Sequence, residues 1–358
     1  MMNRRRTLTQ FLIEERRRHP QATGDLNALI LDVALACKGI SQLLRRGALS
    51  GRGGYADTIN PQGEAQHQLD LETQEIFVRV NEWGGRLAGM VSEETPDVIP
   101  IPVELPKGKY LLLFDPLDGS AISDLNFSVG SIFSILRTPR PGDVAKREDF
   151  LQPGTEQVCA GYAIYGPTTM FVLTVGRGSH GFTLDPGLGE FLLTHPNLQI
   201  SPSTSEFAIN ASNRRFWEPA VKLYVDECVA GKDGARGRDF SMRWMGCLVA
   251  EAHRILVRGG VYLYPRDSRQ PPQAGRLRLL YELNPVAFVI EQAGGLASTG
   301  SHRLMELVPT ELHQRAGVIF GAREEVERLI RYHRDHNQKE YEAPLFGTRG
   351  LFQNPGPT

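Results

Sequence analysis

The feature that most restricts how this chain can fold is the run Tyr110-Leu111-Leu112-Leu113-Phe114-Asp115-Pro116-Leu117-Asp118-Gly119-Ser120. Unbroken apolar and aromatic residues read as a strand buried on both faces. The strand delivers two carboxylates, three positions apart, into a turn that Pro and Gly tighten. Acids at the end of a buried strand repel each other unless a cation lies between them. Oxygen ligands in a compact group favour Mg²⁺ or Mn²⁺ over zinc. Gly119 and Ser120 add backbone N–H groups and a hydroxyl suited to a phosphate oxygen.

An isolated D-x-x-D reads most simply as a surface turn, because Asp-Pro and Asp-Gly are turn formers. Two further features move the reading toward function. Leu87–Ser92 is a second strand-like run, and it ends in Glu93-Glu94. In α/β sheets, ligands lie beyond the carboxyl ends of strands. Glu282, within Leu279-Leu280-Tyr281-Glu282-Leu283-Asn284-Pro285, follows another apolar run at a helix start. Alone it would be an ordinary acid favoured by the helix dipole. Together, Glu93, Glu94, Asp115, Asp118 and Glu282 could hold two or three Mg²⁺ ions. Two ions about 4 Å apart would clamp the attacking and leaving oxygens of a phosphoryl transfer. Arg243, Arg254, Arg276 and Arg278 could meet a phosphate, although an arginine is more often a surface or ion-pair residue.

Around this core the chain alternates periods. Thr7 with Gln10 fits a capping box ahead of Leu8, Phe11 and Leu12. A longer helix starts near Asp25, with Leu26, Leu29, Ile30, Val33, Cys37, Ile40 and Leu44 as its apolar stripe. Residues 47 to 63, rich in glycine, read as a mobile loop, and helical spacing returns over 69 to 80. The middle is rich in strands: 128–136, 158–165, 169–175, 181–184 and 190–194. Gly176-Arg177-Gly178-Ser179-His180-Gly181 reads as a hairpin turn, and Pro186-Gly187 as another. His195–Ser205 is the candidate boundary between two halves. Beyond it come helices near Pro219–Val229, Trp244–Val257 and Pro285–Gln292, with a strand at Gly260–Tyr264. The division is therefore 1–197, 198–335 and a frayed tail over 336–358.

Charge and cysteine content narrow the function classes. Lys plus Arg number 40 against 41 acids, a formal net charge of -1, which argues against a nucleic-acid partner held by bulk charge. No uninterrupted apolar run approaches the roughly 18 residues of a membrane span. Cys37, Cys159, Cys228 and Cys247 are too scattered for a disulfide framework or a C-x-x-C site. The nine histidines show no zinc-ligand spacing. A cytoplasmic enzyme is the expectation.

With these motifs in place, the chain resembles class I fructose-1,6-bisphosphatases of the Mg²⁺-dependent sugar phosphatase superfamily. D-P-L-D-G-S at 115–120 marks the superfamily. The class follows from Ser92-Glu93-Glu94, Gly108-Lys109-Tyr110, Leu151-Gln152-Pro153-Gly154, Val249-Ala250-Glu251 with His253-Arg254, Leu277-Arg278-Leu279-Leu280-Tyr281-Glu282 and His313-Gln314-Arg315-Ala316. The similarity runs in order from about residue 8 to 335.

The resemblance implies a layered α/β sugar-phosphatase fold of two mixed-sheet halves with helices in alternating layers. The N-terminal half would carry effector and metal sites, the C-terminal half the substrate site, in a homotetramer. The implied reaction is hydrolysis of the 1-phosphate of fructose 1,6-bisphosphate, in gluconeogenesis or the Calvin cycle. Glu93, Glu94, Asp115, Asp118, Glu282 and the Leu117 carbonyl would bind metal. Glu64, Asp70 and Glu94 would position or deprotonate the attacking water. Asp118, Gly119 and Ser120 would face the reacting phosphate, and Asn210, Arg243, Tyr264 and Arg276 the distal one, Arg243 reaching a neighbouring subunit's site.

Some positions depart from the family pattern. Asn213 and Trp244 stand where tyrosines are usual, Arg276 where a lysine is usual, and Ala121 and Ile122 where serine and asparagine are usual. These changes leave sedoheptulose-1,7-bisphosphatase as an alternative, and a catalytically inactive scaffold as a second. No W-D dipeptide after a glycine-rich strand supports an inositol monophosphatase. Thr23, Gly24, Asp25, Lys109, Tyr110 and Arg137 match the family's AMP site, with Asn27 replacing a usual threonine. Simple capping by Asp25 is the competing reading.

Overall fold

A computed structural model of the chain describes residues 5–18, 23–50, 55–60, 63, 65–269 and 274–342. Thr7 opens α1 (Leu8–Arg17) with the expected capping box. Its hydroxyl accepts from the Gln10 N–H at 3.1 Å, and the Gln10 side chain accepts from the Thr7 N–H at 3.0 Å. Such a cap stabilises a helix by about 1 kcal/mol. α2 (Asp25–Leu44) buries Leu29, Ile30, Val33, Cys37 and Ile40. By length and composition α2 could cross a membrane. Here its stripe packs into the core, while Asp32 and Lys38 pair with Arg86 and Glu190. The segment read as a mobile loop instead contains β1 (Tyr55–Ile59), which pairs with β2 (Ala65–His67) just beyond it. The strand-forming Tyr55, Thr58 and Ile59 outweigh the flanking glycines. α3 (Gln68–Asn81) follows.

The first sheet is built from β3 (Leu87–Ser92), β4 (Ile99–Pro100), β5 (Tyr110–Asp118), β6 (Val129–Arg137), β7 (Cys159–Tyr165), β8 (Thr169–Thr174), β9 (Ser179–Asp185) and β10 (Glu190–Leu198). Its eight strands lie in the order β10-β9-β8-β7-β6-β5-β3-β4. Only β3 and β5 run parallel, which brings their C-terminal ends side by side. Asp115 pairs with Ile132 and Asp118 with Gly130, so β5 carries one extra residue against β6. The sequence places a turn at Asp115; the structure places a bulge there, which tolerates Pro116, and turns the chain at Gly119, whose φ is 83°. β10 continues through Leu198, into the segment read as a boundary.

The second half runs β11 (Glu206–Ile209), α4 (Pro219–Ala230), β12 (Ser241–Met242), α5 (Leu248–Arg258), β13 (Val261–Tyr264), β14 (Leu277–Arg278), α6 (Asn284–Gln292), β15 (Leu296–Ser298), β16 (Arg315–Ala316), β17 (Val318–Gly321) and α7 (Arg323–Glu342). Five strands form a mixed sheet in the order β12-β11-β13-β17-β15, and β14 pairs with β16. α5 begins at Leu248, not near Trp244, because Gly246 adopts a left-handed backbone (φ 77°) that a helix cannot continue through. α7 carries on to Glu342, into the segment read as a frayed tail; residues 343–358 lie outside the described residues.

Four buried clusters order the layers, one of them, with Leu111, Leu113, Phe150 and Tyr281, covering the second face of β5. α1 to α3 pack on one face of the first sheet through Leu8, Val33, Phe77, Leu112 and Phe114. Phe77 stacks on Phe114 with ring centres 4.7 Å apart, and fully burying such a side chain contributes about 1.5–3 kcal/mol. α5 and α6 fill the space between the sheets, meeting Ile132, Tyr162 and Val172 on one side and Tyr262 and Phe320 on the other. α4 and α7 close the outer face of the second sheet. The result is an α/β/α/β/α stack. β5 is covered on both faces, which explains its unbroken apolar sequence.

Candidate active site

The parallel ends of β3 and β5, the N-terminus of α5 and the approach to α6 surround an open cleft of about 640 Å³. The Glu93 N–H donates to the Phe114 carbonyl at 3.1 Å, carrying the β3–β5 ladder to the point where the acids begin. Glu282 reaches the same point from a π-helical turn, Leu279–Leu283, just before α6. Such turns insert a residue into a helix and re-aim a side chain. One carboxylate oxygen each from Glu93, Asp115 and Glu282 lies within 4.8 Å of the others, and all three residues are buried. Burial first, then the neighbouring acids, pushes Asp115 and Glu282 well above the usual carboxylate range. Buried oxygen donors that repel one another fit a hard divalent cation.

Asp118 behaves differently from Asp115. Its Oδ2 accepts the Val249 N–H at 2.6 Å and the Cys247 thiol at 2.9 Å, so the carboxylate leans on the N-terminus of α5. Its pKa is still raised by burial. Leu117, Gly119 and Ser120 line the cleft beside it.

Glu94 and Asp70 lie along the cleft wall. Gln66 Nε2 donates to Glu94 Oε2 at 2.5 Å, and the His67 N–H donates to Asp70 Oδ2 at 2.7 Å. Burial, with the Glu93 and Asp70 charges behind it, pushes Glu94 up to about 8. Asp70 is raised by burial too. Glu64 lies outside the described residues.

Of the distal-phosphate residues, Asn210, Tyr264 and Arg276 line the same cleft. Asn210 spends its side-chain oxygen on the Ser212 N–H and hydroxyl, at 3.2 and 2.6 Å. Arg243 is not among the lining residues; it stands half exposed, 3.5 Å from Glu206. Trp244 lies nearly parallel to Tyr262, ring centres 5.9 Å apart, and also touches Tyr264. Asn213 accepts from Arg269 at 3.0 Å, so the residue replacing a tyrosine anchors a guanidinium instead.

The residues matched to an effector site also converge, at the end of β5 opposite the acids, where Tyr110 pairs with Arg137. Gly24, in a left-handed conformation, leads into α2, and Asp25 does not cap it. Asp25 accepts from Thr23 at 2.6 Å and from Lys109 at 2.7 Å, which lowers its pKa. Lys109 and Arg137 both lie 5.7 Å from the centre of the Tyr110 ring.

Sequence reasoning missed His67, Cys247 and Tyr262 as cleft residues, and left Arg278 without a specific place. Arg278 Nη2 sits 2.9 Å from Glu93, and its backbone N–H donates to Glu282. The one available signal was H-x-x-D at 67–70, a reciprocal arrangement at a helix start.

Comparison with known proteins agrees with this geometry. The family model for the N-terminal domain of fructose-1-6-bisphosphatase matches residues 6–196, and that for the C-terminal domain matches residues 200–334. A class 1 fructose-1,6-bisphosphatase of Methylibium petroleiphilum is 62% identical over 350 residues, 98% of each chain. The class 1 enzyme of Hydrogenophilus thermoluteolus is 62% identical over 349 residues, 97% of each chain. The crystal structure of Leishmania major fructose-1,6-bisphosphatase in holo form superposes with a TM-score of 0.85 at 38% identity, covering 93% of this chain and 100% of that one. With both domain models matched in order across the acidic cleft, the chain belongs to the class 1 fructose-1,6-bisphosphatase family.

Proposed function

We infer that the chain hydrolyses the 1-phosphate of fructose 1,6-bisphosphate, yielding fructose 6-phosphate and inorganic phosphate. The observation that carries this is the meeting of Glu93, Asp115 and Glu282 beside the Asp118-Gly119-Ser120 turn, in a cleft also lined by Asn210, Tyr264 and Arg276. The alternatives, a sedoheptulose bisphosphatase or an inactive scaffold, find no support: both relatives compared are class 1 fructose-1,6-bisphosphatases, and every metal-site acid is present.

Glu93, Glu94, Asp115, Asp118, Glu282 and the Leu117 carbonyl would hold two or three Mg²⁺ ions, or Mn²⁺ in their place. When bound, such cations neutralise phosphate charge and acidify water. Glu94 and Asp70 are the carboxylates placed to accept the proton of the attacking water. In the metal-free chain burial and the acids beside it raise Glu94 to about 8, and burial raises Asp70. Gly119 and Ser120 grip the reacting phosphate, while Asn210, Tyr264 and Arg276 fix the distal one and so align the ester for in-line attack.

AMP is the proposed effector, supported by the Thr23, Asp25, Lys109, Tyr110 and Arg137 cluster, which offers cations and an aromatic face at a helix start. A homotetramer fits the placement of Arg243 outside its own cleft. A cytoplasmic location fits four unpaired, buried cysteines. The test of the metal assignment is phosphate release after chelation: activity should vanish with the chelator and return with Mg²⁺. Full activity in the metal-stripped enzyme would overturn it.

A further inference from the structure

Cys247 stands directly before α5 and is 4% exposed. Its thiol donates to Asp118 Oδ2 at 2.9 Å, and the Val249 N–H donates to the same oxygen at 2.6 Å. Both donors come from the positively polarised end of α5 and converge on one carboxylate oxygen. The thiol also packs against the phosphate-facing turn: a Cβ added to Gly119 would lie 3.0 Å from Cys247 Sγ. One side chain, 129 positions from Asp118 in the sequence, thus bonds that acid and fills the space beside Gly119.

We propose that Cys247 is a positioning residue of the metal site, its thiol holding Oδ2 of Asp118 against α5 so that Oδ1 is presented to the cation. The proposal rests on the reading of Asp118 as a metal ligand. The thiol joins the Val249 and Leu248 backbone N–H groups on this carboxylate and restricts its rotation further than they do alone. A donor at this place lowers the reorganisation needed when a cation arrives. A purely space-filling role makes the opposite forecast for serine, which keeps a donor but is smaller than cysteine.

The test is Mn²⁺ binding by the full chain, followed by electron paramagnetic resonance with inorganic phosphate present, for the parent, Cys247→Ala and Cys247→Ser. Thermal melting establishes that each is folded. Loss of a hydrogen bond to a charged group should weaken Mn²⁺ binding about tenfold in Cys247→Ala. Cys247→Ser should return to within about threefold of the parent. Phosphate release should follow the same order, with kcat falling in the alanine variant more than KM rises. If Cys247→Ala does not fold, the near-isosteric pair Cys247→Thr and Cys247→Val reads the same donor. An alanine variant that binds Mn²⁺ as tightly as the parent overturns the proposal. So does a serine variant as weak as alanine, because the role is then packing. A parent that takes up no Mn²⁺ overturns the metal-site reading and this proposal with it, which separates the two failures.

Discussion

Arg278 Nη2 lies 2.9 Å from Glu93 Oε1, and the backbone N–H of the same arginine donates to Glu282. One residue therefore ties an acid of the candidate metal cluster from the first half to one from the second. Both side chains are about one-tenth exposed, so solvent does little to screen them. Removing one partner of a buried pair leaves an uncompensated charge and costs about 3–5 kcal/mol. Arg278→Met should lower the thermal stability of the metal-free protein at neutral pH by an amount of that order. Mg²⁺ should then restore more stability to the variant than to the parent. Unchanged melting would mean that the neighbouring acids already solve their repulsion by protonation.

Asp118→Asn keeps the size of the side chain but replaces the anionic oxygen that would meet a cation. Phosphate release should fall by on the order of a thousandfold or more, while the fold survives because the amide can still accept from the Val249 N–H. Steady-state kinetics on the purified variant decides this, and a near-normal rate contradicts the metal assignment.

Metal uptake should release protons. Glu94 is pushed up to about 8 by burial and its acidic neighbours, and Asp115 and Glu282 are raised for the same reasons. In the metal-free chain the protonated form of Glu94 stabilises the fold fully below the ordinary value near 4.5. That contribution is lost as pH rises toward 8. A cation reverses the preference by favouring the ionised acids. Calorimetric titration with Mg²⁺ and inorganic phosphate at pH 7, in two buffers of different ionisation enthalpy, should therefore show net proton release. No buffer dependence would contradict the raised values.

Lys109 links Thr23 and Asp25 at the start of α2 to the Tyr110 ring on β5. If AMP takes this place, millimolar AMP should inhibit the parent, and Lys109→Ala should raise the half-inhibitory concentration at least about tenfold by removing a charge-assisted contact. Inhibition assays at fixed substrate decide it. Activity indifferent to AMP in the parent would sink the effector reading.

The meeting of the acids was legible because it rests on local pattern. An unbroken apolar strand ending in Asp115 and Asp118, and another ending at Glu93-Glu94, announce a sheet edge that holds acids, and β3 and β5 do run parallel with those ends adjacent. α1, α2 and α4 were legible from caps and periodicity. What the pattern could not carry is set by contacts far apart in the chain. Cys247 meets Asp118 only because α5 packs on β6, and Arg278 meets Glu93 only across the two halves. The late start of α5 turns on Gly246, whose left-handed backbone leaves no mark in hydrophobic spacing. The strand pair near Tyr55 was hidden by glycines on either side.

The most direct test of the whole account is phosphate release by the purified chain with Mg²⁺, comparing kcat/KM for fructose 1,6-bisphosphate and sedoheptulose 1,7-bisphosphate side by side. The account predicts a ratio strongly in favour of the fructose ester, with Trp244 and Asn213 tolerated in the distal pocket. A reversed ratio, or no release from either sugar, would contradict it.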